Sequence, residues 1–204
     1  MEESIKFYFV GNNLSLDFVN SLVASNAGPV DLLKHTNDLV NWSVAAGLIQ
    51  NSERAKLEDD WYLEGDAKLA RARRFRTTLH EMFEGIRRDA TVGDASLKLL
   101  NKALWRQTGR TEIVRNGLGF AKRFLTDHTD PEQLFAAIAN SAADLLCYAD
   151  LSLIKKCESD DCVLIFHDTS KNHSRRWCSM AHCGNLAKAR AFYSRKKDTK
   201  IKKS

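Results

Sequence analysis

No apolar run in the 204 residues approaches the ~18–20 residues that a membrane span needs. The N-terminus, Met1-Glu2-Glu3-Ser4, has no basic segment leading into an apolar one, so no signal peptide is read there. These two absences argue for a cytoplasmic protein with no membrane partner. A Gly-rich phosphate loop, an ordered Ser-His-Asp set and an open metal site are also missing. His35, His80 and His128 are scattered and carry no ligand spacing. The chain is therefore expected not to be an enzyme. It contains no internal repeat and no low-complexity linker.

Apolar residues make up 44% of the chain and charged residues 28%, the balance of a folded globular protein. The net charge of +5 is unevenly placed. Residues 151–204 carry 13 Lys/Arg against five Asp/Glu, and residues 1–150 carry 18 against 21. A positive field gathered at one end suits a polyanion, because phosphate contacts release counterions where charge is concentrated. A solvated basic tail would look the same from charge alone.

Residues 1–150 read as mostly helical. Leu14, Phe18, Val19, Leu22 and Val23 have helical spacing, predicting a helix over Leu14–Val23. A second is predicted from Asp31, after Gly28-Pro29, to Gly47, and a third from Ser52 to Leu63. The clearest runs from Asp66 to Arg88, with Leu69, Ala72, Phe75, Leu79, Met82, Phe83 and Ile86 on one stripe. Another is expected from Asp94 to Gln107. The period then changes: Thr111–Arg115 and Gly119–Leu125 flank Asn116-Gly117, a β-hairpin signal. Pro131 opens a last helix that runs to Ala149, with Cys147 as a small core residue.

After residue 150 the chemistry changes. Cys157 and Cys162 are separated by four residues, as are Cys178 and Cys183, and fifteen residues lie between the pairs. Two such pairs can bring four thiolates to one tetrahedral zinc, a closed and therefore structural site. Neither pair is C-x-x-C, which argues against a redox couple. Substitution of one cysteine ligand by His173 or His182, or four unliganded buried thiols, are the competing readings. A strand is expected over Leu151–Lys156, a second over Val163–Phe166, and a helix over Met180–Lys197. The expected architecture is mainly α with a small β-hairpin: a helical domain over 1–150 and a small treble-clef-like or ribbon-like zinc finger over 151–204.

The run Cys157-x4-Cys162, Phe166-His167-Asp168-Thr169-Ser170-Lys171-Asn172 and Ser174-Arg175-Arg176-Trp177-Cys178-Ser179-Met180-Ala181-x-Cys183-Gly184-Asn185 resembles the CGNR zinc finger of bacterial proteins. The stretch Gly11-Asn12-Asn13-Leu14-Ser15-Leu16-Asp17-Phe18-Val19-Asn20-Ser21 resembles the opening of the ABATE domain usually fused to that finger. The resemblance implies a stress-induced transcription regulator, with Cys157, Cys162, Cys178 and Cys183 as zinc ligands and the finger as the DNA-binding part. The family's signature ends in arginine where this chain has Leu186.

Lys171, Arg175, Arg176, Lys188, Arg190, Arg195 and Lys196 are the expected nucleic-acid contacts. The competing role for Arg175 or Arg176 is an ion pair with Asp160, Asp161 or Asp168. Trp177 is expected in the finger core, and Phe192 and Tyr193 are expected to pack the last helix onto the protein. Asp17, Asn20 and Arg76 are candidates for a ligand pocket in the large domain; hydrogen bonds to neighbouring backbone and a surface salt bridge are the competing roles. The leading expectation is a DNA-binding regulator whose large domain senses a small-molecule effector or forms a homodimer. An RNA-binding protein with the same finger, or a ligand-binding or enzymatic large domain with a purely structural finger, are the alternatives.

Overall fold

The computed structural model describes residues 6–25, 28–55, 58, 65–126 and 131–201, and the side chains of all of these except 123–126, 131 and 194–201. In chain order the elements are α1 (Leu14–Val19), β1 (Leu22–Ser25), β2 (Gly28–Asp31), α2 (Thr36–Ala45), α3 (Gly65–Asp89), α4 (Asp94–Trp105), β3 (Gly109–Asn116), β4 (Gly119–Thr126), α5 (Pro131–Tyr148), β5 (Ile154–Lys156), β6 (Ile165–His167) and α6 (Asn185–Ile201). The strands form three separate antiparallel pairs: β1–β2, β3–β4 and β5–β6.

The short α1 is the hub. Leu16, Phe18 and Val19 are buried against α3, α5 and β6. Phe18 meets Trp42 of α2 edge-on, with ring centroids 4.9 Å apart, and Phe75 of α3 packs on Phe135 of α5 at 5.3 Å. The α3 stripe from Leu69 to Ile86 is buried as its spacing predicts. Gln133 of α5, almost fully buried, accepts from the Thr108 N–H (3.0 Å) and donates to the Arg106 carbonyl (2.9 Å), fixing the link between α4 and β3.

Two predicted helices begin or end elsewhere. The first stops at Val19, and Val23 lies in β1, paired with Val30. The apolar spacing of Leu22 and Val23 fits a helix, but Gly28 at φ +116° turns the chain back into a hairpin instead. Asp31 consequently closes β2 rather than opening α2. That helix starts at Thr36, where the Asp38 carboxylate accepts from the Lys34 and His35 N–H groups at 2.8 and 2.7 Å. Of the predicted Ser52–Leu63 helix, a tight turn over Asn51–Glu53 leads into helical residues 54, 55 and 58, and residues 56–57 and 59–64 lie outside the described residues. Cys147 is exposed rather than in the core.

Candidate metal centre and its attachment

Two turns and one hairpin bring the cysteines together. The Cys162 N–H bonds to the Ser159 carbonyl (2.9 Å), closing the first knuckle. The Cys157 N–H bonds to the Leu164 carbonyl (2.9 Å), extending the β5–β6 pair. Cys178 precedes, and Cys183 lies within, a wide helical turn over Met180–Gly184. Ser179 caps this turn through its hydroxyl, and the Gly184 N–H closes it onto the Ser179 carbonyl (3.0 Å). A Cβ on Gly184 would fall 2.6 Å from the Met180 sulfur, so this position takes no side chain without displacing Met180. The second pair therefore sits at the start of a helix, the treble-clef-like arrangement.

All four Sγ atoms lie within 4.8 Å of one another. Cys162 and Cys178 are 3.8 Å apart, and Cys178 and Cys183 are 3.5 Å apart. Zinc–sulfur bonds of ~2.3 Å in a tetrahedron put sulfurs roughly 3.8 Å apart, so the donor set fits one metal ion. Hydrogen bonding from Cys178 lowers the pKa of Cys162, while Cys162 and burial push that of Cys178 up. Four thiolates this close need a cation among them. Neither His173, which bonds through Nδ1 to the Asp168 carbonyl, nor His182, whose ring packs against Tyr8, joins the cluster.

Asp168 organises the loop between the pairs. It has no exposed surface, and it accepts from Lys155 Nζ (2.7 Å), the Ser170 N–H and hydroxyl, and the Arg175 N–H (2.9 Å). Burial alone would raise its pKa; Lys155 and these donors outweigh burial and hold it far below the ordinary carboxylate range.

The finger is fastened to α1 and the segment before it. The Asn20 side chain is buried and bonds both backbone groups of Ile165: it donates to the carbonyl at 2.8 Å and accepts from the N–H at 2.9 Å. The Gly11 carbonyl accepts from the His167 N–H (2.9 Å). Asn12, at φ +56°, donates to the His167 carbonyl and to Thr169 Oγ1, each at 3.0 Å. Asn13 caps α1 and donates to the Ser141 carbonyl of α5. Asp17 accepts from the Gly11 N–H at 2.7 Å, and burial raises its pKa to about 6 against the opposing effects of that bond and of Arg175. A Cβ on Gly11 would fall 2.7 Å from that of Leu16, so glycine is required there. The polar residues of the N-terminal motif thus serve attachment.

Among the described residues, Asp17, Asn20 and Arg76 are engaged in intramolecular bonds. Each is taken up by a different intramolecular partner. Arg76 is buried, not on the surface, and pairs with both oxygens of Asp31 (2.7 and 2.6 Å) and with Ser21 Oγ (2.9 Å). The signal that sequence reading passed over was the density of Asn and Asp between Gly11 and Asn20, since an amide can satisfy a strand's N–H and C=O together.

Among the expected nucleic-acid residues, Arg175 has an internal role. Its guanidinium donates to the carbonyls of Val10 (2.7 Å), Trp177 (3.0 Å) and Cys178, and lies 4.0 Å over the Phe166 ring. It ties the loop segment that carries Cys178 to the segment before α1. Arg176 pairs with Glu158 (2.6 Å) and Arg190 with Asp161 (3.0 Å), both on the surface. Lys171 and Lys188 are exposed. Arg195 and Lys196 lie on α6, with side chains outside the described residues. Trp177 packs against the finger core, as expected. Phe192 and Tyr193 do not pack the helix onto the protein: they are 56% and 69% exposed and contact each other. Leu186 is likewise exposed, on the rim of a groove that Tyr8 and Val23 share with Cys162 and His182.

A helical body carrying a docked four-cysteine finger is the class this geometry defines. The chain belongs to the ABATE family, described as "Putative stress-induced transcription regulator", whose model matches residues 12–149. Residues 154–196 match the CGNR zinc finger. No curated protein matches the chain. Among the described residues no helix is long and apolar enough to cross a membrane.

Proposed function

We propose that the protein is a cytoplasmic, DNA-binding transcription regulator. Zinc, held by Cys157, Cys162, Cys178 and Cys183, builds the finger, and α6 with the adjoining surface meets the duplex. The function is binding rather than catalysis. One observation carries the reading: α6 leaves the metal centre with its only extensive packing, among the described residues, on the wide turn that precedes it. This helix bears Lys188, Arg190, Arg195, Lys196, Lys197 and Lys200 against the single acid Asp198. Apolar packing explains little of such a helix, whereas a major groove admits one and its phosphates complement the charge. The surface pairs of Arg176 and Arg190 are weak, ~0–1 kcal/mol each, and exchange readily for phosphate.

The test uses the full chain with one equivalent of zinc and a fluorescent duplex. Alanine at Lys171, Arg176, Lys188 and Arg190 together should weaken binding at least ~100-fold and flatten the salt dependence by roughly three to four in log–log slope. Arg175 is left out because its loss would disturb the finger itself. Zinc-loaded protein with no affinity for duplex DNA at low salt would end the proposal; single-stranded RNA outcompeting the duplex would move it to RNA. A small-molecule effector or a homodimer contact in this reading belongs to the helical body, away from Asp17, Asn20 and Arg76.

A further inference from the structure

We infer that the outward face of the β3–β4 hairpin is a second nucleic-acid contact, engaging the same duplex as the finger. This rests on the DNA-binding reading above. The register sets Ile113 opposite Lys122 and Arg115 opposite Phe120, so that Thr111, Ile113, Arg115, Phe120 and Lys122 share one face. All five are exposed, whereas Glu112, Val114 and Ala121 on the other face are partly covered. Ile113 is 72% exposed and Phe120 69%, and Leu118 at the tip is fully exposed. No other element of the described structure packs extensively along the hairpin.

The hairpin is held firmly at its stem. Buried Gln133 grips the backbone at Arg106 and Thr108, and the Arg106 side chain pairs with Glu132 at 2.6 Å. At the other end, Gly117 at φ +60° opens a two-residue loop, the tight connection that keeps both strands in register. The result is an anchored two-stranded ribbon, of a width that a major groove admits.

Charge selects the occupant. The outward face carries Arg115, whose guanidinium lies 5.5 Å over the Phe120 ring, and Lys122, and no acid. A second copy meeting this face would set Arg and Lys against Arg and Lys. A duplex offers phosphates to those two cations and sugar and base edges to Phe120, Ile113 and the Leu118 tip. The position also suits a second contact. The hairpin precedes α5 and the finger follows it, and an 18-residue helix is about 27 Å long, roughly eight base pairs.

The test compares zinc-loaded full chain with Arg115→Ala/Lys122→Ala on duplexes of about 30 and about 10 base pairs. These side chains are exposed, so thermal unfolding should be unchanged. On the long duplex the double variant should lose about two from the salt slope and bind ~10–100-fold more weakly at ~0.1 M salt. On the short duplex the loss should shrink, and Arg115→Lys should stay near wild type. If the double variant matches wild type on the long duplex while Lys188→Ala/Arg190→Ala loses binding, the hairpin contact is wrong and the finger reading stands. If wild type itself does not bind, both fall. If Ile113→Asp converts a dimer to a monomer with DNA affinity intact, the face is a self-association surface and the inference is overturned.

Discussion

Trp42, Phe18, Phe83, Leu79 and Ile138 are all but fully buried in the helical body, while the finger buries Leu164 and Phe166 beside two of its own ligands, Cys157 and Cys178. The body has enough apolar surface to hold itself. The finger has a four-cysteine cluster that fits a metal, a buried carboxylate and a set of hydrogen bonds to α1. Its two strands do not even belong wholly to it, since Ile154 and Ile165 are part of the body's core. The difference teaches that the finger is not an appendage on a linker. Its cysteine cluster organises one side and the body holds the other, through Asn20, Gly11 and the shared core at Ile154 and Ile165.

Removing the metal should break the comparison most. Zinc supplies ~10–16 kcal/mol of folding free energy in finger peptides. Chelation, or Cys162→Ser, should abolish amide protection over residues 157–162 and 176–184 in hydrogen exchange, while α3, α5 and the Ile165 and His167 amides bonded to the body keep theirs. Loss of protection throughout the body would show that the two regions fold as one.

At the junction, Asn20→Ala leaves both backbone groups of Ile165 unbonded. At ~1–3 kcal/mol each, the cost should fall near ~2–4 kcal/mol, and it should appear as increased exchange at β6 as well as a lower midpoint. Inside the body, Arg76→Leu should cost ~1–3 kcal/mol in urea unfolding, because it removes the two-pronged buried partner of Asp31 and leaves it, among the described residues, only Arg73 and the Leu33 N–H. The same variant should leave zinc affinity unchanged.

Arg175→Ala tests the link from metal to body. Its contact with the Cys178 carbonyl supports a ligand from outside the coordination sphere, and such contacts are worth ~10–100-fold in metal affinity. A chelator competition should read that loss. The smallest effect is a titration. Burial raises the folded pKa of Asp17 from 3.8 to about 6, so protonation favours the folded state. This contribution is fully present below the unfolded value and is lost as pH rises through 6. A carboxyl-carbon NMR titration should place the Asp17 midpoint near 6, and Asp17→Asn should remove the corresponding slope in stability.

Much of this was legible in the residues. The α3 stripe and the cysteine spacing each depend on one local rule and appear where that rule puts them, and the Asn116-Gly117 signal marks a hairpin whose two-residue loop lies one residue on, at Gly117-Leu118. What escaped depended on partners distant in sequence. Leu22 and Val23 fit a helical period, but pairing with β2 decided their conformation. Arg76 looked like one more surface arginine in an arginine-rich helix until Asp31 came beside it. Arg175 sat among residues suited to phosphate, yet three backbone carbonyls claim it. Phe192 and Tyr193 looked like packing residues, yet both are largely exposed and pack on each other. Asn20 paired across 145 residues with Ile165 has no local signature beyond its being polar on an apolar helix.

The most direct test of the account is duplex-DNA affinity of the full chain, measured at ~50 and ~200 mM salt with one equivalent of zinc bound and again after chelation. The account predicts binding that falls steeply with salt in the zinc-loaded protein and largely disappears on chelation, while the body stays folded. Equal affinity with and without the metal would contradict it.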